Sequence, residues 1–266
     1  MRTIFGNIIA IYRKELQSYF ASSLAYVIAG VFWLLGGFFL VTILLGPDGL
    51  IAQVAAIDQL GVAGQPVDLP YEFLKIYLNI LSSLSLFILP ILSMGLYAEE
   101  RKQGTLELLA TSPITNWAVA LGKLMGVVTF YTTMLLPLVV CEAIALSASD
   151  PPIEADIMLI GHIGLVALAA SVLSLGMFVS SLTDSTVLAA ILTFALVLLL
   201  WVIDLIGNAV SGAIGEAFKH LSLIDHYNNL VQGIFDTSSL LLFATYIVLG
   251  LFLTVQVIEA LRFQRA

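Results

Sequence analysis

Six long stretches of apolar residues divide the sequence, and polar residues gather in the shorter segments between them. Continuous apolar stretches are typical of membrane-spanning helices, whereas the strands of a membrane barrel alternate apolar and polar residues. About 20 residues cross the hydrocarbon core as a helix, so each stretch is long enough for one span. The predicted spans are residues 24–45, 74–97, 118–146, 157–182, 187–206 and 240–261.

The segments outside these spans also carry helical patterns. Residues 1–22 alternate apolar and charged positions at helical spacing, which predicts an amphipathic interfacial helix. In that helix Arg13, Lys14 and Glu15 would face water. Residues 207–239 are too polar to span the membrane, and their spaced apolar residues predict short extracytoplasmic helices, with a solvated loop as the alternative. Gly122 and Gly126, four residues apart, suit a close helix approach.

Composition supports the membrane interpretation. Of the 266 residues 60% are hydrophobic and only 11% are charged, whereas soluble domains carry about 25% charged residues. There is too little charge to coat a surface facing water, which excludes a soluble enzyme. The expected fold class is an all-α membrane protein of about six spans, forming a single domain over residues 1–266.

The distribution of charge predicts the orientation in the membrane. With six spans, eight of the ten basic residues fall on one side, and only Lys75 and Lys219 fall on the other. Basic residues accumulate on the cytoplasmic side of membrane proteins, so both termini are predicted to be cytoplasmic. The eight residues are Arg2, Arg13, Lys14, Arg101, Lys102, Lys123, Arg262 and Arg265.

Motifs for catalysis and for cofactors are missing from the sequence. It contains no G-x-x-x-x-G-K-S/T phosphate loop and no H-E-x-x-H pattern, its single cysteine is Cys141, and its three histidines are scattered. We therefore predict no catalytic residues and no metal site. A net charge of −8 argues against nucleic-acid binding.

The densest charge cluster begins at Glu99 and continues to Pro113, after the second span. Gly104 allows a bend, residues 105–110 form a short amphipathic stretch, and Ser112 with Pro113 is typical of a helix start. A short helix joined to two spans can pass force from a cytoplasmic partner to the membrane. The alternative interpretation is a simple anchor of basic residues at the membrane surface.

This cluster resembles the E-E-R/K-x-x-G-T-L-E-x-L-x-S/T-x-P motif of ABC-2 type permeases, especially the GldF/NosY-like branch for gliding motility and copper-site maturation. Two further segments are similar to that family: the K-E-x-x-x-Y/F-F elbow at residues 14–20, and the L-S-x-x-x-H-F/Y segment at residues 221–227, followed by Gly233 and Asp236. The matching residues of the first motif are Glu99, Glu100, Arg101, Gly104, Thr105, Leu106, Glu107, Leu109, Thr111 and Pro113.

The resemblance implies a permease that pairs with a second permease copy and docks an ABC ATPase subunit, which binds ATP and Mg²⁺. It implies a coupling helix at residues 104–112 within a coupling segment at residues 99–116, and an elbow helix at residues 13–20. The implied docking residues are Glu99, Glu100, Arg101, Gly104, Thr105, Leu106, Glu107, Leu108, Leu109, Ser112 and Pro113; the implied elbow residues are Arg13, Lys14, Glu15, Tyr19 and Phe20.

Three polar residues are candidates for a substrate pathway. Glu142 and Asp204 lie near the outer ends of the third and fifth spans, and His226 lies in the segment before the sixth span. Ionisable residues within spans mark functional sites by default. For the two acids, however, solvation at a helix end is the favoured interpretation.

The sequence thus predicts a permease subunit of an ATP-driven transporter in the bacterial inner membrane, expected to be an exporter without catalysis of its own. One alternative is a secondary transporter, which would more often have central acids or broken helices in matched halves. Another is a membrane scaffold of a surface or motility machine. The transported substrate is not predicted.

Overall fold

The structure is a computed structural model that describes residues 2–59, 68–106, 114–147, 149 and 155–263. Within these residues the regular elements are helices, numbered here in chain order. They are α1 (Arg2–Ala21), α2 (Ser23–Leu45), α3 (Leu50–Gln59), α4 (Leu69–Ser93), α5 (Gly95–Lys102), α6 (Asn116–Ser147), α7 (Ala155–Leu182), α8 (Thr186–Ala209), α9 (Ala213–Leu221), α10 (Leu223–Val231) and α11 (Thr237–Phe263).

Six helical segments of the described chain are long and apolar enough to cross a membrane. They begin with α2, α4, α6, α7, α8 and α11, and they correspond to the six predicted spans. The all-α fold class with six spans is therefore confirmed. The second segment begins earlier than predicted, at Leu69, because the Asp68 carboxylate accepts a hydrogen bond from the Tyr71 amide and caps the helix. It is interrupted at Met94 and continues as α5.

The fourth span, α7, lies at the centre of the bundle and contacts α4, α6, α8 and α11. Its approach to α11 is close because Gly250 has no side chain: a Cβ there would lie 2.6 Å from the Ser174 carbonyl carbon. Ser171 and Ser174 donate hydrogen bonds to carbonyl oxygens of α11, at 3.3 and 3.2 Å. Small residues and hydroxyls commonly join helices in a bilayer, where apolar surface alone gives little preference.

The spans α2 and α8 lie at the periphery of the bundle. Only 22% of the most apolar stretch of each is buried, compared with 78% for the central span. Large side chains such as Leu34, Phe38 and Leu199 are exposed on these helices. Lipid or another apolar surface must cover them in a membrane.

The N-terminal helix α1 packs along the first half of α6. A Cβ at Gly122 would lie 2.8 Å from Ile11 Cγ2, and one at Gly126 would lie 2.8 Å from Glu15 Cβ. The close approach expected for these glycines is therefore present. The expectation that Glu15 faces water is wrong, since its residue is only 9% exposed. A helix face pressed against a second helix cannot stay solvated.

The helical bundle has a basic end and an opposite end. The basic end carries α1, α5 and Lys123 near the start of α6. The opposite end carries α9, α10 and Glu142 near the end of α6. At the opposite end Ser222 links the two short helices, because its hydroxyl accepts a hydrogen bond from the Asp225 amide and caps α10.

Candidate functional site

A buried ion network at the basic end joins three helices, and we call it the Lys123 network. Lys123 Nζ of α6 lies 2.8 Å from Glu15 Oε1 of α1 and 2.9 Å from Glu100 Oε1 of α5. Lys14 Nζ approaches the same Glu100 oxygen at 3.4 Å from the exposed side. The network therefore fixes the elbow segment and the end of the second span to the start of the third.

Burial makes this network costly to disturb. The Lys123 side chain is 3% exposed, and its ammonium lies 5.0 Å from the centroid of the Tyr97 ring. An ammonium taken out of water needs close counter-charges and hydrogen bonds, which two carboxylates and an aromatic face provide. The sequence assigned Lys123 only to a basic flank, because its neighbours in space are far away in the chain.

Tyr19 gives the elbow segment a second attachment. Its hydroxyl donates a hydrogen bond to the Leu92 carbonyl at 2.6 Å, and its ring stacks on Phe130 with centroids 5.0 Å apart. Burial, with smaller contributions from Glu15 and Glu99, holds the pKa of the Tyr19 phenol far above its usual range. Tyr19 therefore stays a neutral donor. Phe20 meets Phe130 edge to face, and Arg13 is exposed.

The end of the second span is also attached to the end of the fourth. The Ser180 hydroxyl accepts from the Tyr97 and Ala98 amides at 3.1 and 3.0 Å and donates to the Met94 carbonyl at 2.7 Å. It thereby satisfies backbone groups left open where α4 is interrupted. Arg101 donates to the Ser181 carbonyl at 2.7 Å. These contacts were not predicted, since serines in an apolar run carry no signal of their partners.

The predicted coupling segment starts where α5 ends. Gly104 has a φ of 70°, a left-handed conformation that favours glycine, and its amide donates to the Arg101 carbonyl at 3.1 Å. Glu99 accepts a hydrogen bond from the Gln103 side chain at 3.3 Å, and Thr105 bonds back to the Glu100 carbonyl. Leu106 packs against the core. The predicted docking residues Glu107, Leu108, Leu109, Ser112 and Pro113 lie outside the described residues.

A cleft of about 320 Å³ opens beside the Lys123 network, between α1 and the start of α5. Glu99, Glu100, Lys14 and Tyr19 contribute to its lining. One oxygen of Glu100, Oε2, is buried and accepts no hydrogen bond from the residues that the structure describes. The cleft therefore brings together several predicted docking and elbow residues.

The three pathway candidates do not have one common role. Asp204 accepts a hydrogen bond from the Ser222 hydroxyl at 2.6 Å, and His226 Nδ1 lies 2.9 Å from Ser239 Oγ. Both residues thereby attach α10 to neighbouring spans. Glu142 is completely buried, so its interpretation as a solvated helix end is wrong. Its Oε2 lies 3.2 Å from Nε2 of His162, a histidine that the sequence analysis left unassigned.

A comparison with protein families decides the classification. The family model for ABC-2 family transporter proteins matches residues 9–266, which cover nearly the whole chain. The chain belongs to the ABC-2 transporter family. No curated protein matches the sequence.

Membership in the ABC-2 family has direct consequences for function. Because the family is one of transporters and the chain has six apolar helices long enough to span a membrane, the chain is a multi-pass membrane protein and a permease component of an ABC transporter. The family resemblance inferred from residues 99–113 is confirmed at this level. The GldF/NosY-like branch, the ATPase partner and the direction of transport stay predictions.

Proposed function

We propose that this ABC-2 permease is the membrane subunit of an ATP-driven exporter and is moved by a separate ATPase subunit that binds ATP and Mg²⁺. The observation that carries the proposal is the Lys123 network. It joins the elbow segment, the second span and the third span where the coupling segment begins.

The contacts around α5 suit the transmission of force. A push on residues 104–112 acts on α5, where Glu100 is bonded to Lys123 of the third span. The same helix is attached to the fourth span through Ser180 and Arg101. Buried, hydrogen-bonded contacts resist separation, so displacement of α5 would carry the third and fourth spans with it.

The basic end also indicates how the protein is oriented in the membrane. We place the basic end, and with it both termini, on the cytoplasmic side of a bacterial inner membrane. An ATPase subunit would then meet residues 104–112 and the cleft beside the Lys123 network. Three acidic and two basic side chains line that cleft, and its lysines are bonded to Glu15 and Glu100. The exposed Glu99 therefore suits contact with a basic residue of the ATPase.

A second permease copy would complete the transporter. The peripheral spans α2 and α8 both contact α4, and they expose Trp33 and Trp201 among many apolar residues. A second copy docked on α2 or on α8 would bury apolar side chains that lipid otherwise covers. We also propose that the protein belongs to the GldF/NosY-like branch, on the three motif blocks in its sequence.

Co-purification and ATP turnover test the proposal. The permease and an ABC ATPase subunit from the same organism are expressed together, purified and reconstituted in lipid vesicles. We expect the permease to retain the ATPase, and substitution of Thr105 and Leu106 by aspartate to reduce retention and ATP turnover at least tenfold. The matched control is Lys75→Met, which removes only an exposed ion pair with Glu72 at the opposite end.

Two outcomes would contradict the proposal. One is a folded permease that retains no ATPase. The other is ATP turnover that is equal in the wild type, the coupling-segment variant and the Lys75→Met control.

A further inference from the structure

We propose that Glu142 and His162 form a proton-binding site between the third and fourth spans, in which a single proton lies between the Glu142 carboxylate and His162 Nε2. The pair lies toward the opposite end of the bundle. Glu142 is five residues before the end of α6, or about 8 Å at 1.5 Å per helical residue.

The hydrogen bond made by His162 Nδ1 is the reason for placing a proton between His162 Nε2 and Glu142. His162 Nδ1 lies 2.8 Å from the Met158 carbonyl oxygen, one turn earlier in α7. A carbonyl oxygen only accepts hydrogen bonds, so Nδ1 carries a proton. In a neutral ring Nε2 is then a bare lone pair, and it lies 3.2 Å from Glu142 Oε2, which is also an acceptor when ionised. Two acceptors repel at this distance unless one of them holds a proton.

Burial favours one proton over none or two. Glu142 is 0% exposed and the His162 side chain is 12% exposed. With one proton the pair is neutral as a whole, whether the proton is on nitrogen or on oxygen. Without it the pair is an anion, and with a second proton it is a cation. Either net charge is expensive inside a membrane.

The uncharged polar groups near the Glu142–His162 pair do not balance the charge of Glu142 in place of the proton. The Tyr77 hydroxyl of α4 is buried without a hydrogen-bond partner among the described residues. The Tyr227 hydroxyl of α10 donates to the Leu78 carbonyl at 2.8 Å. Both phenols are neutral near pH 7. Cys141 is the chain neighbour of Glu142.

Several charged groups on the packed helices are bonded elsewhere, and Asp156 in the first turn of α7 is exposed. In α4, Glu72 pairs with Lys75 at 3.8 Å, and in α8 Asp204 is bonded to Ser222. The charged residues of α1 that lie near α6 belong to the Lys123 network, at the other end of α6. His226 of α10 is paired with Ser239, and Glu259 lies near the basic end of α11.

The donor set suits a proton better than a metal ion. Sites that hold a transition metal usually supply three or four protein ligands. Within the described part of the chain, no group of three His, Cys, Asp or Glu side chains is arranged for a metal ion. A proton needs only two acceptor atoms close together, and Glu142 Oε2 and His162 Nε2 lie 3.2 Å apart, both buried and both without a hydrogen-bond partner among the described residues. Separation of α6 from α7 would expose both atoms to water and let the proton exchange.

Nitrogen-15 histidine spectra of the full-length protein in lipid nanodiscs test the site without any ATPase. The chain has only three histidines, so substitution of His220 and His226 assigns the signals. At about pH 8, above the ordinary histidine pKa of about 6.5, we expect the wild-type pair to keep its proton, at least about 30-fold tighter than free imidazole. It appears either as a doubly protonated His162 ring or as the infrared carbonyl band of a protonated carboxyl.

The Glu142→Gln variant removes the need for the proton. Its amide NH₂ donates to the bare Nε2, so the ring is expected to be neutral at about pH 8, with its proton on Nδ1, and no carboxylic-acid band is expected. Asp204→Asn is the matched control, because Asp204 is an acid at the same end that is bonded to Ser222 and not to His162. It should leave the His162 signals and the infrared band unchanged.

The wild-type spectra can overturn the proposal by themselves. A neutral His162 ring together with no protonated carboxyl at about pH 8 would mean that no proton is held between the two side chains. A change in Asp204→Asn equal to that in Glu142→Gln would also overturn it, since the signal would then not belong to this pair.

Discussion

Helix α6 carries a buried ionisable side chain near each of its ends, and the surroundings of these two side chains differ. Lys123 at the basic end has two carboxylates within 2.9 Å, an aromatic face at 5.0 Å and the exposed Lys14 beyond. Glu142, 19 residues later or about 28 Å along the helix, meets a single histidine at 3.2 Å. The first site pairs a donor with acceptors and needs no additional proton, whereas the second is complete only with one.

The difference separates a fixed joint from an adjustable contact. The Lys123 network has several bonds from three helices, so the loss of one bond leaves the others in place. The Glu142–His162 pair depends on one atom pair between two helices. A transporter needs both kinds of contact, because force must be passed through rigid parts and spans must separate elsewhere.

Loss of the central cation should have the largest effect. Lys123→Met leaves the Glu15 and Glu100 carboxylates buried beside each other, so we expect a loss of about 3–5 kcal/mol of stability. Unfolding of the purified permease in bicelles measures it. Lys75→Met, which removes an exposed pair, should change stability by less than about 1 kcal/mol. Equal losses of stability in both variants would show that the Lys123 network does not hold the three helices together.

Widening the contact between α1 and α6 should have an intermediate effect. Gly122→Ala places a Cβ 2.8 Å from Ile11 Cγ2 and 3.0 Å from the Ile8 carbonyl oxygen. Overpacking of this kind costs about 1–3 kcal/mol. Gly37→Ala is the control, since no atom lies within 4 Å of a Cβ at Gly37 of α2. The same unfolding measurement compares them, and a Gly122→Ala protein as stable as the control would contradict the close packing.

The adjustable contact should tolerate its conservative substitution. In Glu142→Gln the amide replaces the shared proton as the donor to His162 Nε2, so we expect a change in stability below about 1 kcal/mol. The comparison with Lys123→Met is direct, because both substitutions remove one buried charge from α6. A loss as large as that of Lys123→Met would mean that the two ends of α6 do not differ in kind.

Substitution of the exposed Asp236 should have the smallest effect on stability. Asp236 precedes α11, and hydrogen bonds from the Ser238 hydroxyl and amide, with a smaller contribution from His226, hold the pKa of its carboxyl below the ordinary value. Because the folded pKa is lowered, its stabilisation is present above the unfolded value of about 3.9 and is lost as the pH falls through the lowered pKa. Asp236→Asn should slightly lower stability near pH 7 and leave it unchanged below the lowered pKa, so that unfolding measured as a function of pH shows a flatter acid part of the profile.

The sequence was a good guide to the elements and a partial guide to the site. Apolar stretches predicted six spans because a bilayer accepts few other structures. Gly122 and Gly126 pointed to a close approach, and the charge cluster after the second span pointed to the ABC-2 family, which the family match confirms. The short helices α9 and α10 lie where spaced apolar residues suggested them.

The partners of the charged residues were not predictable in the same way. Helical periodicity states which face a residue shares, but not which helix covers that face. Lys123 is 108 residues from Glu15 and 23 from Glu100 in the chain. Glu15 consequently looked solvated, and His162 looked isolated. A search for partners of the buried Glu142 among the ionisable residues of other spans would have suggested His162, though not its distance.

The sequence by itself determined the solvent of this protein, the number of its spans and the end at which its basic residues collect. These properties depend on transfer of residues from water to lipid, which each segment undergoes largely on its own. Only the tertiary structure decided which charges are buried, which of them share bonds, and that Glu142 of α6 lies beside His162 of α7. Those outcomes depend on distances of a few ångströms between atoms of different helices, and packing alone sets such distances.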